Sequence, residues 1–260
     1  MSPAADAATR VARRSTRFVA WVRAWRAGLV PFDELPDEIA RDEEHLVADA
    51  PGTWTDVPLP QGLPVFAKVH PDDIRLVLPA PGDPRGLPGP GPLTGAAMLT
   101  GEAVMTPTFG FVPEVRRHVS GSGVEFETVQ WRHFPVEEYK PVFQTGAAEA
   151  ESELTLALSE ATAQLTKLDV AQWKPELAGA LQQLRRPEST ATLPPGFDPR
   201  ARRLFARASV LDQVLALAET NAPGGAVNGY EAQQRDAALR PLLTACRQAL
   251  VAACNSPLHA

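Results

Sequence analysis

Side chains that could share a proton lie closest together between residues 116 and 133: Arg116, His118, Glu125, Glu127, Arg132 and His133. Val115 to Val119 and Val124 to Phe134 are β-rich runs around Ser120-Gly121-Ser122-Gly123, the pattern of two strands joined by a tight turn. A two-residue turn at Gly121-Ser122 sets Val119 opposite Val124, His118 opposite Glu125 and Arg116 opposite Glu127. In that register Glu125 orients His118 as a general base, and His133 joins them if a bulge after Thr128 turns it inward. The simpler reading is a solvated sheet face on which opposite charges each add roughly a few tenths of a kcal/mol.

Two other groups of charge suggest binding. Asp83 and Arg85 are the only charges in the loop Pro79 to Pro92, which holds six prolines and four glycines in fourteen residues. The loop follows an expected strand, but its prolines remove the backbone donors a phosphate cradle needs, and no Lys-Ser or Lys-Thr pair follows. Arg200, Arg203 and Arg207 crowd the start of a helix opened by Asp198-Pro199, where the dipole disfavours cations. They call for an acidic partner or the carboxylates of a neighbouring helix.

Other chemistries lack their parts. Ser122 has glycine on both sides and a strand after it, unlike a nucleophile elbow. His45, His70 and His259 have no ligand partners near in sequence, so neither a metal nor a cofactor is expected. Cys246 and Cys254, eight residues apart on an expected helix, lie about 12 Å from one another, too far for a disulfide, and read as buried thiols of a reducing compartment.

The elements that carry these residues fall into three regions. Val11, Phe18, Val22 and Trp25 mark one face of a first helix, with Arg10, Arg13, Arg14 and Arg17 around the rest. Residues 1 to 29 carry a net charge of +5 and residues 30 to 50 one of -7, so the helix is expected to pair with a second, acidic helix over 37–48. The middle region, Pro- and Gly-rich with β-branched runs, predicts an antiparallel sheet with a first hairpin over 65–69 and 74–78. Apolar stripes at Leu154 to Leu168, Trp173 to Leu184, Leu204 to Leu215 and Leu239 to Leu250 predict four helices, the last kinked or divided at Pro241.

The expected fold class is therefore α+β: a helical hairpin over 1–52, an antiparallel β region over 53–146 and a four-helix, bundle-like region over 147–260. Of 25 basic residues 21 are arginine, which with abundant Ala and Pro suggests a GC-rich bacterial genome. The formal net charge of -6 argues against nucleic acid, and the short apolar stretch after Arg13-Arg14 argues against a membrane span or export signal. The expected location is the cytoplasm. With no complete catalytic motif, the expected function is a non-enzymatic interaction or scaffold module that meets an acidic protein surface or itself. The alternative is a ligand-binding protein or enzyme with a pocket between sheet and helices, using Arg85, His118, Glu125, Arg132 and His133.

Overall fold

In the computed structural model, which describes residues 13–52, 54–121, 123–137, 139, 145–167, 192–220 and 229–259, the basic N-terminal stretch forms helix α1 (Arg14–Arg26). Its burial is not confined to one stripe. Phe18, Val19 and Val22 are fully buried, and so nearly are Arg14 and Arg23, at 7% and 1% exposure, although Arg14 belongs to the ring of arginines expected around the apolar face. A buried guanidinium must find acceptors, and Arg23 donates to Pro71 O at 2.9 Å and to Asp72 Oδ1 at 3.0 Å.

The expected acidic helix over 37–48 does not form as such. Helix α2 (Leu35–Ala40) ends where Arg41 takes a φ of 51°, and the chain turns, with Glu43 N donating to Ala40 O, into strand β1 (Glu44–Ala48). The N-terminal helical hairpin is thus replaced by helix, turn and strand. Strand β2 (Val57–Pro58) and the short helix α3 (Leu59–Gly62) follow. The first expected hairpin is also absent. Pro64 and Pro71 sit in the first turns of two 3-10 helices, Leu63–Phe66 and Pro71–Asp73, where their missing N–H costs nothing. Only β3 (Arg75–Val77) of that pair is a strand.

Helix α4 (Pro92–Thr100) leads to β4 (Ala103–Met105), and then come the long strands β5 (Phe109–Val119) and β6 (Glu125–Pro135). The six strands form one sheet in the order β2-β1-β6-β5-β4-β3. It is mixed: β1 runs parallel to β6, with Glu44 to Ala48 beside Thr128 to Arg132, and the other neighbours are antiparallel.

Both faces of the sheet are covered near its centre. On one, Phe18 of α1 meets Trp131 at 4.4 Å and Phe66 at 5.4 Å between ring centres, and Phe66 meets Phe109 and Phe111, each at 5.1 Å. On the other, Leu93 and Ala97 of α4 pack with Val77, Met105, Val112 and Phe134. This double cover explains why the alternation of β6 fades: residues 128 to 131 are all buried, and the β5–β6 register runs unbroken where a bulge was expected.

Two later segments complete this unit, residues 193–198 and 257–259. Phe197 and Leu258 form a bridge, His259 N donates to Gly196 O at 2.8 Å, and the buried Phe197 ring lies 5.7 Å from the Arg23 guanidinium. Gly196 has a φ of +92°, and a Cβ there would lie 2.2 Å from Leu29 Cδ1, so only glycine lets the strap lie this close to the residues after α1.

The second unit is helical. Its described elements are α5 (Ala147–Lys167), α6 (Pro199–Thr220) and α7 (Gly229–Cys254). Leu154, Ala157 and Ala161 of α5, Leu204, Phe205, Ala208 and Leu215 of α6, and Leu242, Cys246, Ala249 and Leu250 of α7 are among its buried apolar residues. Helix α7 continues through Pro241 rather than dividing there. The stripe expected from Trp173 to Leu184 lies outside the described residues.

Candidate functional site

The polar groups that the fold gathers most tightly were not among the sequence candidates. They lie where the start of α1 meets the entry to β1. Glu43 accepts from Arg14 Nε at 3.0 and 3.2 Å and from Arg14 Nη2, and Arg17 Nη2 stands 3.5 Å away. The His45 Nε2 atom lies 3.3 Å from the same carboxylate, and Trp131 Nε1 donates to His45 Nδ1 at 3.1 Å. Indole N–H can only donate, so the bond assigns the ring proton to Nε2, which donates to Glu43. Indole, imidazole, carboxylate and guanidinium thus form a directed chain from sheet to helix.

The network is electrostatically loaded. Burial pushes the Glu43 carboxyl up, but the hydrogen bonds from His45 and Arg14, together with their charge, outweigh it and hold the group at about 2. Beside it Glu102 accepts from Ser15 N at 2.7 Å, placing a carboxylate on the first turn of α1. Burial pushes that carboxyl up, against the pull of Arg13 and of the Ser15 N–H. Arg17 is pushed down, first by burial and then by the nearby Arg41. With Nδ1 of His45 taken by Trp131 and its ring buried, the chain acts as a structural clamp rather than a base open to substrate.

The sequence candidates lie apart from one another. The β5–β6 hairpin forms, but its register is one residue from that expected: Val119 faces Glu125, His118 faces Phe126 and Arg117 faces Glu127. The reason is the loop. Ser120 and Val124 close it, with Val124 N donating to Ser120 Oγ at 2.9 Å, so the turn is longer than two residues. The pairing of His118 with Glu125 that a general base would need is therefore not made. His118 Nε2 lies 2.8 Å from Thr128 Oγ1 and its ring stacks on Phe126, while Glu125 projects on the opposite face.

His133 packs its ring 5.2 Å from Phe109 and 5.6 Å from Phe111, and burial pushes its imidazole down against a smaller upward pull from Asp49. Arg132, on the other face, donates to Glu114 Oε1 at 3.0 Å and lies over the Phe134 ring. Glu125 and Arg132 are seven positions apart on β6, about 23 Å at strand rise, so these groups do not converge on one pocket. Asp83 and Arg85 bind each other at 2.7 and 2.9 Å. In the helical unit Arg200 stands 3.6 Å from Glu151 of α5, as the neighbouring-helix reading expects, and Arg207 donates to Thr155 Oγ1 at 3.0 Å. Arg203 is exposed.

The hairpin has a second property that its sequence alone does not reveal. Strand β1 joins β6 only from Thr128 onward, and β4 joins β5 only at Gly110 and Phe111. Residues 116–119 and 125–127 therefore project as a two-stranded ribbon, about 13 Å long at strand rise. The exposures of Val119, Val124 and Phe126, 68%, 62% and 45%, are high for apolar side chains. Arg116 and His118 share the face of Phe126.

A mixed sheet with a helical layer on each face, followed by a unit of long helices, is a two-part architecture, and sequence comparison divides the chain in a similar place. Residues 15–146 match the family described as Rv1486c-like protein, N-terminal domain, and residues 148–251 match its C-terminal domain. The chain belongs to the Rv1486c-like family. No curated protein and no solved structure is significantly similar to it.

Proposed function

We propose that this protein is a cytoplasmic, non-enzymatic interaction module whose contact element is the projecting β5–β6 ribbon. The carrying observation is the exposure of Val119, Val124 and Phe126 on a ribbon that lacks a third strand. A two-stranded ribbon is only marginally stable in water, and apolar side chains placed at its tip lose nothing when a partner covers them. Arg116 and His118 beside Phe126 give one face a basic, aromatic character suited to an acidic protein surface. The buried free thiols Cys246 and Cys254 accord with a reducing compartment.

The test is site-specific photo-crosslinking in an extract of the native cells, from position 119 and, as a control, from the exposed Glu160 of α5. A discrete adduct at position 119 that Arg116→Glu abolishes is expected, at twice the chain mass if the partner is a second copy. The same adducts from both positions, or adducts indifferent to Arg116→Glu, would sink the proposal.

A further inference from the structure

Strand β5 leaves one edge of the ribbon open, and the hairpin fixes which main-chain groups stand there. Ser120 N donates to Val124 O, so Ser120, His118 and Arg116 turn their peptide groups towards β6, and the residues between them turn theirs away. The other end of the strand agrees: Phe109 O accepts from Thr106 N, and Phe111 lies beside Val104 of β4. Beyond Phe111 the pairing with β4 stops. Among the described residues nothing bonds the N–H and C=O groups that Val115, Arg117 and Val119 hold out on that edge. Pro113, the next outward residue towards β4, is buried and has no N–H, so the open edge begins at Val115.

The side chains along the edge divide by face. Arg116 and His118 stand on one face, and Val115, Arg117 and Val119 on the other. Strand β6 fills the opposite edge with Glu125-Phe126-Glu127, whose carboxylates share the face of Arg117, and Glu127 meets Arg117 at 3.0 Å. On the face of Arg116 the one carboxylate of β5, Glu114, is held by Arg132 at 3.0 Å. Arg116 is exposed and makes no ion pair or hydrogen bond through its side chain among the described residues. One face of the edge thus lacks carboxylates, and the other, where Val115 and Val119 are 43% and 68% exposed, lacks apolar cover.

Resting on the reading of the ribbon as the contact element, we propose that the open β5 edge takes up an extended segment of another protein as a third strand, one in which carboxylate and apolar side chains alternate. Such a strand sets its carboxylates beside Arg116 and His118 and its apolar side chains beside Val115 and Val119, while its main chain bonds the outward peptide groups. A second copy fits less well. Two β5 edges meeting about a two-fold axis bring Arg116-Arg117-His118 of one against the same residues of the other.

The experiment adds the peptide Glu-Val-Glu-Val-Glu-Val-Glu to the isotope-labelled full chain at pH 7 and follows the exchange of backbone amides with solvent. The Val115, Arg117 and Val119 amides are expected to become protected saturably, and those of Arg116 and His118, already turned to β6, to change little. Arg116→Glu, on the exposed ribbon, should weaken binding about fivefold by exchanging attraction for repulsion. The peptide Glu-Glu-Val-Val-Val-Glu-Glu, equal in charge and composition, should protect none of the three. Unprotected amides, equal binding of the two peptides, or affinity unchanged in Arg116→Glu would overturn the proposal. So would protection that rises with protein concentration in the chain alone, which marks a second copy on the edge. An adduct from position 119 in the cell extract together with unprotected amides would leave the ribbon as the contact element and remove only the strand addition.

Discussion

Replacing Glu43 with Gln tests whether the clamp between α1, β1 and β6 holds the mixed unit together. Gln keeps the shape and one acceptor oxygen but removes the charge that Arg14 and Arg17 share. Arg14 is 9% exposed at its side chain, so its guanidinium would be left nearly buried with a weakened partner, a loss of about 3 kcal/mol by analogy with broken buried pairs. A second route gives a similar figure. A carboxyl held at about 2 rather than 4.5 contributes about 3 kcal/mol at neutral pH, somewhat less after screening at a side chain that is one-fifth exposed.

The sign of the pH dependence follows from the depressed value. The unfolded chain binds the proton first as pH falls, so the contribution is whole above about 4.5 and fades as pH drops towards 2. Urea unfolding monitored by tryptophan fluorescence, at pH 7 and at pH 3, is the assay. E43Q should lose about 2–3 kcal/mol at pH 7 and clearly less at pH 3. A loss below about 0.5 kcal/mol at pH 7, or a loss of the same size at both pH values, would refute the reasoning.

Two further substitutions read packing and titration. Gly62→Ala places a Cβ 2.4 Å from Val47 Cγ2 and 2.7 Å from Val47 Cβ, and should cost about 1–3 kcal/mol in thermal unfolding, whereas Gly95→Ala on the open side of α4 should gain about 0.5–1 kcal/mol. His133→Phe keeps a ring beside Phe109 and Phe111 but cannot titrate; because burial lowers the His133 imidazole, the native protein loses stability as pH falls below about 6.5, and the variant should lose less between pH 7.5 and pH 5 in melting temperature.

The β5–β6 hairpin was legible because its alternation and its Ser-Gly turn agree. Its register was not, because the extra loop residue depends on a Ser120 hydroxyl bond that composition does not announce. Strand β1 was hidden for a related reason. Ile39 and Leu46 are seven apart, a helical spacing, and the turn that separates them uses Arg41 at positive φ where a glycine would have signalled it. Missing that strand also hid the clamp, since Glu43 and His45 lie on one side only in extended chain. The intramolecular charge pairing was foreseeable in sign, as Arg14 and Arg17 do meet Glu43, but Arg23 takes its carboxylate from Asp72, beyond the acidic stretch. The burial of Arg14 and Arg23 could not be read from charge at all, because arginine carries a long apolar stem into a core when acceptors await its tip.

The strap formed by Gly196, Phe197 and Leu258 has a consequence for the order of events at the ribosome. Strand β6 ends at Pro135, and Leu258 follows it by more than 120 residues, so the sheet is translated long before the segment that covers Arg23 and Leu29. At bacterial and eukaryotic rates that interval is on the order of 6–25 s. During it the Arg23 guanidinium has Asp72 but not the ring of Phe197, and the whole helical unit is synthesised before the gap closes. Translation order and folding order are thereby uncoupled: the sheet is translated before helices α5 to α7 but receives its strap after them, and a fragment cut at residue 146 would leave the residues after α1 without their cover.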